Sequence, residues 1–92
     1  MFFLHQTEEF AAYILIKVHS GKDLEVFQAI KALQHKYPLR ELSNLYGDYD
    51  LLVKVQMDNP NALEDFVFSG LRQIQGIAET QTLISARSIE FK

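Results

Sequence analysis

Between residues 12 and 18 apolar side chains alternate, with Ala12, Ile14, Ile16 and Val18 on one face of an extended segment and Tyr13 and Leu15 on the other. The period then changes, and Val26, Phe27, Ile30 and Leu33 recur at helical spacing. Ser20 and Asp23 precede that stripe at capping-box spacing, so Ser20 is the expected N-cap and Asp23 replaces the usual Glu. Tyr37-Pro38 ends the helix, because proline disfavours helical geometry in the residue before it. Alternation returns over residues 39–45 and again over 49–56, where Leu51, Val53 and Val55 mark a core face. Between these strands Gly47-Asp48 predicts a two-residue hairpin turn: glycine supplies a positive φ and Asp tolerates the neighbouring position. Asp58-Asn59-Pro60 opens a second helix with an Asx cap and a proline at the first helical position. Leu63, Phe66, Val67, Leu71 and Ile74 form its apolar face, and Gly76 suits its C-terminal cap. A last strand covers about residues 78–85, with Ile89 or Phe91 as its furthest extent.

The order is βαββαβ, and the halves echo each other: Ile16-Lys17-Val18 returns as Val53-Lys54-Val55, each followed by a cap and a helix. Two βαβ units sharing one antiparallel sheet make an α+β, ferredoxin-like fold, four strands with both helices on one face. Right-handed crossovers leave the other face bare. Tyr13, Leu15, Leu52 and Leu83 alternate onto that face, and an apolar patch of this kind marks an interface. Packing of two such sheets across a two-fold axis, as in dimeric α+β barrels, would bury it.

Size sharpens this expectation. A single domain of 92 residues buries only roughly 60 to 65% of its unfolded surface and gains from self-association. Without cysteine, neither a disulfide nor thiolate-bound zinc is available. A net charge of −3, with Lys and Arg scattered, argues against direct nucleic-acid binding, which needs a basic face. The apolar start Met1-Phe2-Phe3-Leu4 is too short for a signal peptide, and no segment reaches membrane-span length. The expectation is a cytoplasmic domain over residues 12–92 behind an extension of residues 1–11. In that extension Phe2 and Phe3, with Phe10, either plug a neighbouring subunit or close the chain's own core.

Candidate chemistry concentrates at the Gly47 turn. Asp48 and Asp50 can bind an ammonium group through charge-assisted hydrogen bonds, or serve only the turn and a solvated strand start. Tyr46 and Tyr49 can stack on a ligand or pack on the sheet. Thr80 and Thr82 lie two apart and share a strand face, where their hydroxyls can meet a carboxylate or merely suit a strand. His5, His19 and His35 lack ligand spacing, so neither a metal nor a cofactor is expected. No serine has a nucleophile-elbow context, and the two aspartates are not a separated acid/base pair.

With turn, caps and strand order in place, the chain resembles the ligand-binding (RAM) domain of the Lrp/AsnC transcription regulators, in its stand-alone form. The resemblance rests on Tyr46-Gly47-Asp48-Tyr49-Asp50-Leu51-Leu52-Val53-Lys54-Val55, Phe66-Val67, Leu71-Arg72-Gln73-Ile74-Gln75-Gly76-Ile77 and the alternating threonines of Glu79-Thr80-Gln81-Thr82-Leu83-Ile84. It runs over about residues 12–86. It implies sheet-to-sheet dimers assembled into rings of four or five, an octamer or decamer. It also implies a small-molecule effector, often an amino acid, between dimers at Tyr46, Gly47, Asp48, Tyr49 and Asp50, with Thr80 and Thr82. Lys36-Tyr37-Pro38-Leu39 stands where the family often has Pro-Gly-Val, lengthening that connection. About 11 residues before the first strand are too few for a helix-turn-helix reader, so the expected route to transcription is through protein partners, including full-length regulators of the family. The rival class is a small dimeric α+β-barrel enzyme of monooxygenase or isomerase type, which needs a polar group between sheet and helices. An ACT-like regulatory module shares the strand order, and an RNA-binding sheet would need a basic-aromatic pattern that the strands lack.

Overall fold

The computed structural model describes residues 9–85 together with 87, 89 and 91. Strand β1 (Phe10–Val18) leads to helix α1 (Asp23–Ala32), which tightens into a 3₁₀ turn at Leu33–His35. Strands β2 (Leu39–Asn44) and β3 (Leu51–Met57) follow, then helix α2 (Pro60–Asp65). Helix α2 continues through a π turn at Phe66–Gly70 and a 3₁₀ turn at Leu71–Gln73 before strand β4 (Ile77–Ile84). The sheet order is β2-β3-β1-β4 and every pairing is antiparallel, the expected α+β ferredoxin-like arrangement.

Register decides which residues face the helices. Ala12 pairs with Val55, Ile14 with Val53 and Ile16 with Leu51, and all six are fully buried. Val26 and Ile30 of α1 pack on them, as do Leu63, Phe66 and Leu71 of the second helical segment. Each Val, Leu, Ile or Phe among them contributes about 1.5–3 kcal/mol by leaving water. No charged or amide side chain is buried among the described residues.

The two helix starts differ. Asn59 caps α2 as expected, its side-chain oxygen accepting from the Ala62 amide at 2.8 Å, with Pro60 at the first position. Ser20 does not cap α1. The Lys22 amide donates to the His19 carbonyl at 3.0 Å across a turn in which Gly21 has φ 81°, so helical geometry begins only after Lys22. Gly76 is likewise not the cap of the second helical segment. The backbone turns extended at Ile74, and Gly76, with φ 104°, instead shapes the entry to β4 while its carbonyl accepts from the His19 amide at 2.7 Å. A Cβ there would stand 2.8 Å from Val26 Cγ2.

Strand β1 starts at Phe10, two residues earlier than expected, and Phe10 packs at the core edge. Strand β4 ends at Ile84, and neither Ile89 nor Phe91 extends it. Phe2 and Phe3 lie outside the described residues.

Tyr37 closes the core at the end where β2 begins. Its ring meets Phe66 edge-on at 5.0 Å, and its hydroxyl donates to Asp65 Oδ2 at 2.9 Å. A Cβ at Gly70 would sit 3.2 Å from that ring, so a larger residue there would push Tyr37 aside. Burial first, then the hydrogen bond to Asp65 and that residue's charge, raise the Tyr37 phenol above its ordinary value of 10.0. The folded chain therefore holds this proton more tightly than the unfolded chain does. The stability it confers is complete below the unfolded value and is lost as pH climbs through the raised folded one. Chemical denaturation from about pH 9 to about pH 12 should show this alkaline loss, and Tyr37→Phe should flatten it. Identical pH dependence in the two proteins would exclude Tyr37 as its source.

Candidate functional site

The β2–β3 connection is longer than a two-residue turn. The Leu45 amide donates to the Asp50 carbonyl at 2.8 Å, closing a loop over residues 46–49. Gly47 adopts φ 134°, whereas Asp48 does not take the positive φ that a tight primed turn would impose. Spreading the reversal over four residues removes that demand on Asp48. Beyond its chain neighbours, no atom lies within 4 Å of where a Gly47 Cβ would stand, so the backbone there is open to approach.

The four side chains around Gly47 take different roles. Tyr46 is fully exposed. Asp48 is exposed and makes no hydrogen bond or ion pair with any described residue. Tyr49 folds across the helix-free face, where its hydroxyl donates to Gln81 Oε1 at 2.6 Å and the Lys17 ammonium lies 5.4 Å from its ring centroid. Asp50 is tied into the sheet: its amide donates to the Ile16 carbonyl at 2.8 Å, and its Oδ2 accepts from the Val18 amide at 2.8 Å. Asp50 is thus no mere solvated strand start. It satisfies the amide of the last β1 residue with a charged acceptor.

Thr80 and Thr82 pair with Ile16 and Ile14, which places them on the helix-side face of β4. Gln81, and with it the Tyr49 hydroxyl, lies on the opposite face. Within one chain the loop and the two threonines therefore share an end of the sheet without converging. Beside Thr80 a cleft of about 400 Å³ is lined also by Arg72 and Ile77, and the Arg72 guanidinium lies 5.1 Å from the Phe68 ring centroid. Sequence reasoning missed Lys17, Gln81 and Arg72, since only the strand register brings the first two to Tyr49. No group of three or more His, Cys, Asp or Glu is placed to hold a metal among the described residues.

The four apolar residues expected on the bare face are neighbours there. Tyr13 pairs with Leu83 and Leu15 with Leu52; Tyr13, Leu15 and Leu52 are half-buried, and Leu83 is 44% exposed. Lys54 stands 5.5 Å over the Tyr13 ring, and Lys17, Glu79, Gln81, Gln56 and Ser43 share the face by register.

The chain is thus a ferredoxin-like βαββαβ domain with one open apolar sheet face and a protruding Gly-Asp-Tyr-Asp loop. The chain belongs to the Lrp/AsnC family: residues 11–91 match the family described as the Lrp/AsnC ligand binding domain. It is 38% identical over 74 residues to the HTH-type transcriptional regulator FL11 of Pyrococcus furiosus, covering 79% of this chain and 46% of the relative. The chain thus spans about half the length of the curated relatives it matches. Among solved structures, TTHA0845 from Thermus thermophilus is 26% identical with a TM-score of 0.79, covering 89% of this chain and 99% of that one. The transcriptional regulator NMB0573 from Neisseria meningitidis, solved as an L-Met complex, shares the fold at 22% identity and a TM-score of 0.73, over 89% of this chain and 53% of that one.

The Asp50 contact has a measurable consequence. Asp50→Ala leaves the Val18 amide without its acceptor and should lower stability by about 1.5–3 kcal/mol, while Asp50→Asn, which keeps an acceptor oxygen, should lose less. Urea unfolding measures both; equal stability of the Ala variant and the parent would remove this role.

Proposed function

We propose that the chain is the sensing part of a transcription regulator and that it binds a small zwitterion, most simply an amino acid, at the Gly47 loop. The supporting observation is the pairing of an Lrp/AsnC ligand-binding domain with a loop whose Asp48 carboxylate is exposed and unpartnered among the described residues. Gly47 leaves the backbone approachable, Asp48 suits an ammonium group, and Tyr46 offers a free ring. Asp50 has one carboxylate oxygen committed to Val18, so its share in binding falls to the other. Thr80 and Thr82 lie on the other face from Tyr49, so in this reading their hydroxyls serve an effector held between subunits. The L-Met complex of a fold relative supports an amino acid as the ligand class.

The same reading gives Tyr13, Leu15, Leu52 and Leu83 to a sheet-to-sheet dimer, with dimers assembling into an octameric or decameric ring in the cytoplasm. Full-length regulators of the family are the candidate protein partners. The net charge of −3 speaks against direct DNA binding by these residues. No helix among the described residues is long and apolar enough to cross a membrane. The rival enzymatic reading needs a polar pocket between sheet and helices, and that space is filled by residues such as Ile14, Val53 and Phe66, each fully buried.

Two measurements test these proposals separately. Calorimetry against the twenty amino acids should find a ligand whose affinity falls about tenfold or more in Asp48→Ala, the loss of one hydrogen bond to a charged group. Gly47→Val should weaken it further, since a β-branched residue resists positive φ. Undiminished affinity in both folded variants would put the effector elsewhere. Light scattering should show a multiple of the dimer for the parent and loss of the dimer in Leu52→Asp, which would bury an unpaired charge. A monomeric parent at micromolar concentration would overturn the sheet-to-sheet assembly.

A further inference from the structure

A second cleft, of about 430 Å³, opens at the other end of the sheet, where β2 begins and β3 ends. It is remote from the Gly47 loop. Met57 in its floor pairs with Phe10, at the far end of β1 from Val18 and Asp50, eight residues or about 26 Å along the strand. The two sites therefore share no residue.

Its walls carry opposite charges. Lys36 and Arg40 come from the α1–β2 connection and the start of β2; Asp58 and Asp65 come from the end of β3 and helix α2, and Glu9, just before β1, adds a third carboxylate to the lining. Charges facing each other across a closed surface would pair. Here no N–O separation of 4.0 Å or less joins either cation to any of the three carboxylates. The gap is built in. Tyr37, only 8% exposed, forms the floor with Met57 and donates its hydroxyl to Asp65, which fixes that carboxylate on its wall. The Lys36 ammonium lies 5.6 Å from the Tyr37 ring centroid, at the margin of the same floor.

Arg40 is placed by a defect in the sheet. Leu39 pairs with Val55 and Glu41 with Lys54, so Arg40 is the extra residue of a bulge between β2 and β3. Bulges re-aim side chains and are over-represented beside functional sites. This one directly follows Lys36-Tyr37-Pro38-Leu39, the lengthened connection already noted in the sequence. The Gln56 amide donates to the Pro38 carbonyl at 3.2 Å and holds the lengthened segment against β3.

We propose that this cleft is a second ligand site, for a small zwitterion whose carboxylate meets Lys36 and Arg40 and whose ammonium meets Asp58 and Asp65. A molecule with a single charge would satisfy one wall and leave the other unanswered. The apolar floor of Tyr37 and Met57 accepts the carbon skeleton between the two charged ends.

Met57 supplies a local readout, because it is one of only two methionines, the other being Met1. With ¹³C-methyl methionine labelling, and the Met57→Leu variant to assign its signal, the full chain is titrated with the twenty amino acids and glycylglycine. Acetate and methylammonium serve as single-charge controls. At least one zwitterion should shift the Met57 methyl signal saturably, at lower concentration than either control. Arg40→Ala and Asp58→Asn should each weaken that response about tenfold, while Asp48→Ala should leave it unchanged. Absence of a saturable shift with every zwitterion overturns the proposal, as does an equal response to acetate or methylammonium. A response abolished by Asp48→Ala but untouched by Arg40→Ala also overturns it, assigning the signal to the Gly47 loop.

Discussion

Side chains alternate along a strand, so a slip of one residue between β1 and β3 would turn Ile14 and Ile16 outward and bring Tyr13 and Leu15 into the core. Everything else in this molecule depends on that register. It sets Ile14 against Val53 beneath the helices, and it sets Leu15 against Leu52 on the open face. It also carries Asp50 to the end of β1, where one residue supplies an amide to Ile16 and a carboxylate to Val18. Those two bonds hold the start of β3 where the pairing requires it. Core, open face and loop are consequences of one alignment.

Most of the fold could be read from residue order because its signals are local. Asn59 and Pro60 announce a helix start by their own chemistry, and the alternation in 12–18 and 51–55 separates the two sheet faces without reference to partners. The errors arise where a local signal had two solutions. Ser20-Gly21 precedes a helical stripe, but Gly21 takes a positive φ and spends those residues on a turn. Gly47-Asp48 resembles a tight hairpin, but closure between Leu45 and Asp50 makes a four-residue loop that spares Asp48 an unfavourable backbone. The bulge at Arg40 had no local signature, since it arises from the pairing of β2 with β3.

Candidate site residues were legible as types rather than as roles. Asp48 and Asp50 look alike in the sequence, two carboxylates flanking Tyr49. The fold separates them, binding Asp50 to a strand end and leaving Asp48 in solvent. Thr80 and Thr82 were correctly placed on a shared face, yet which face follows only from their pairing with Ile16 and Ile14. Long-range partners of Tyr49 could not be found from spacing, because Gln81 stands 32 residues away and Lys17 comes from the first strand.

Tyr49 also joins what the chain order keeps apart. It leaves the loop before β3, passes over β1 and ends on Gln81 of β4, the edge strand that pairs only with β1. The ring is a strut between a protruding loop and the margin of the sheet. One hydrogen bond at its tip, exposed to solvent, is the link that would break first if loop and margin moved apart. Loop and margin are thus tied to each other across β1, one of the two central strands of the sheet.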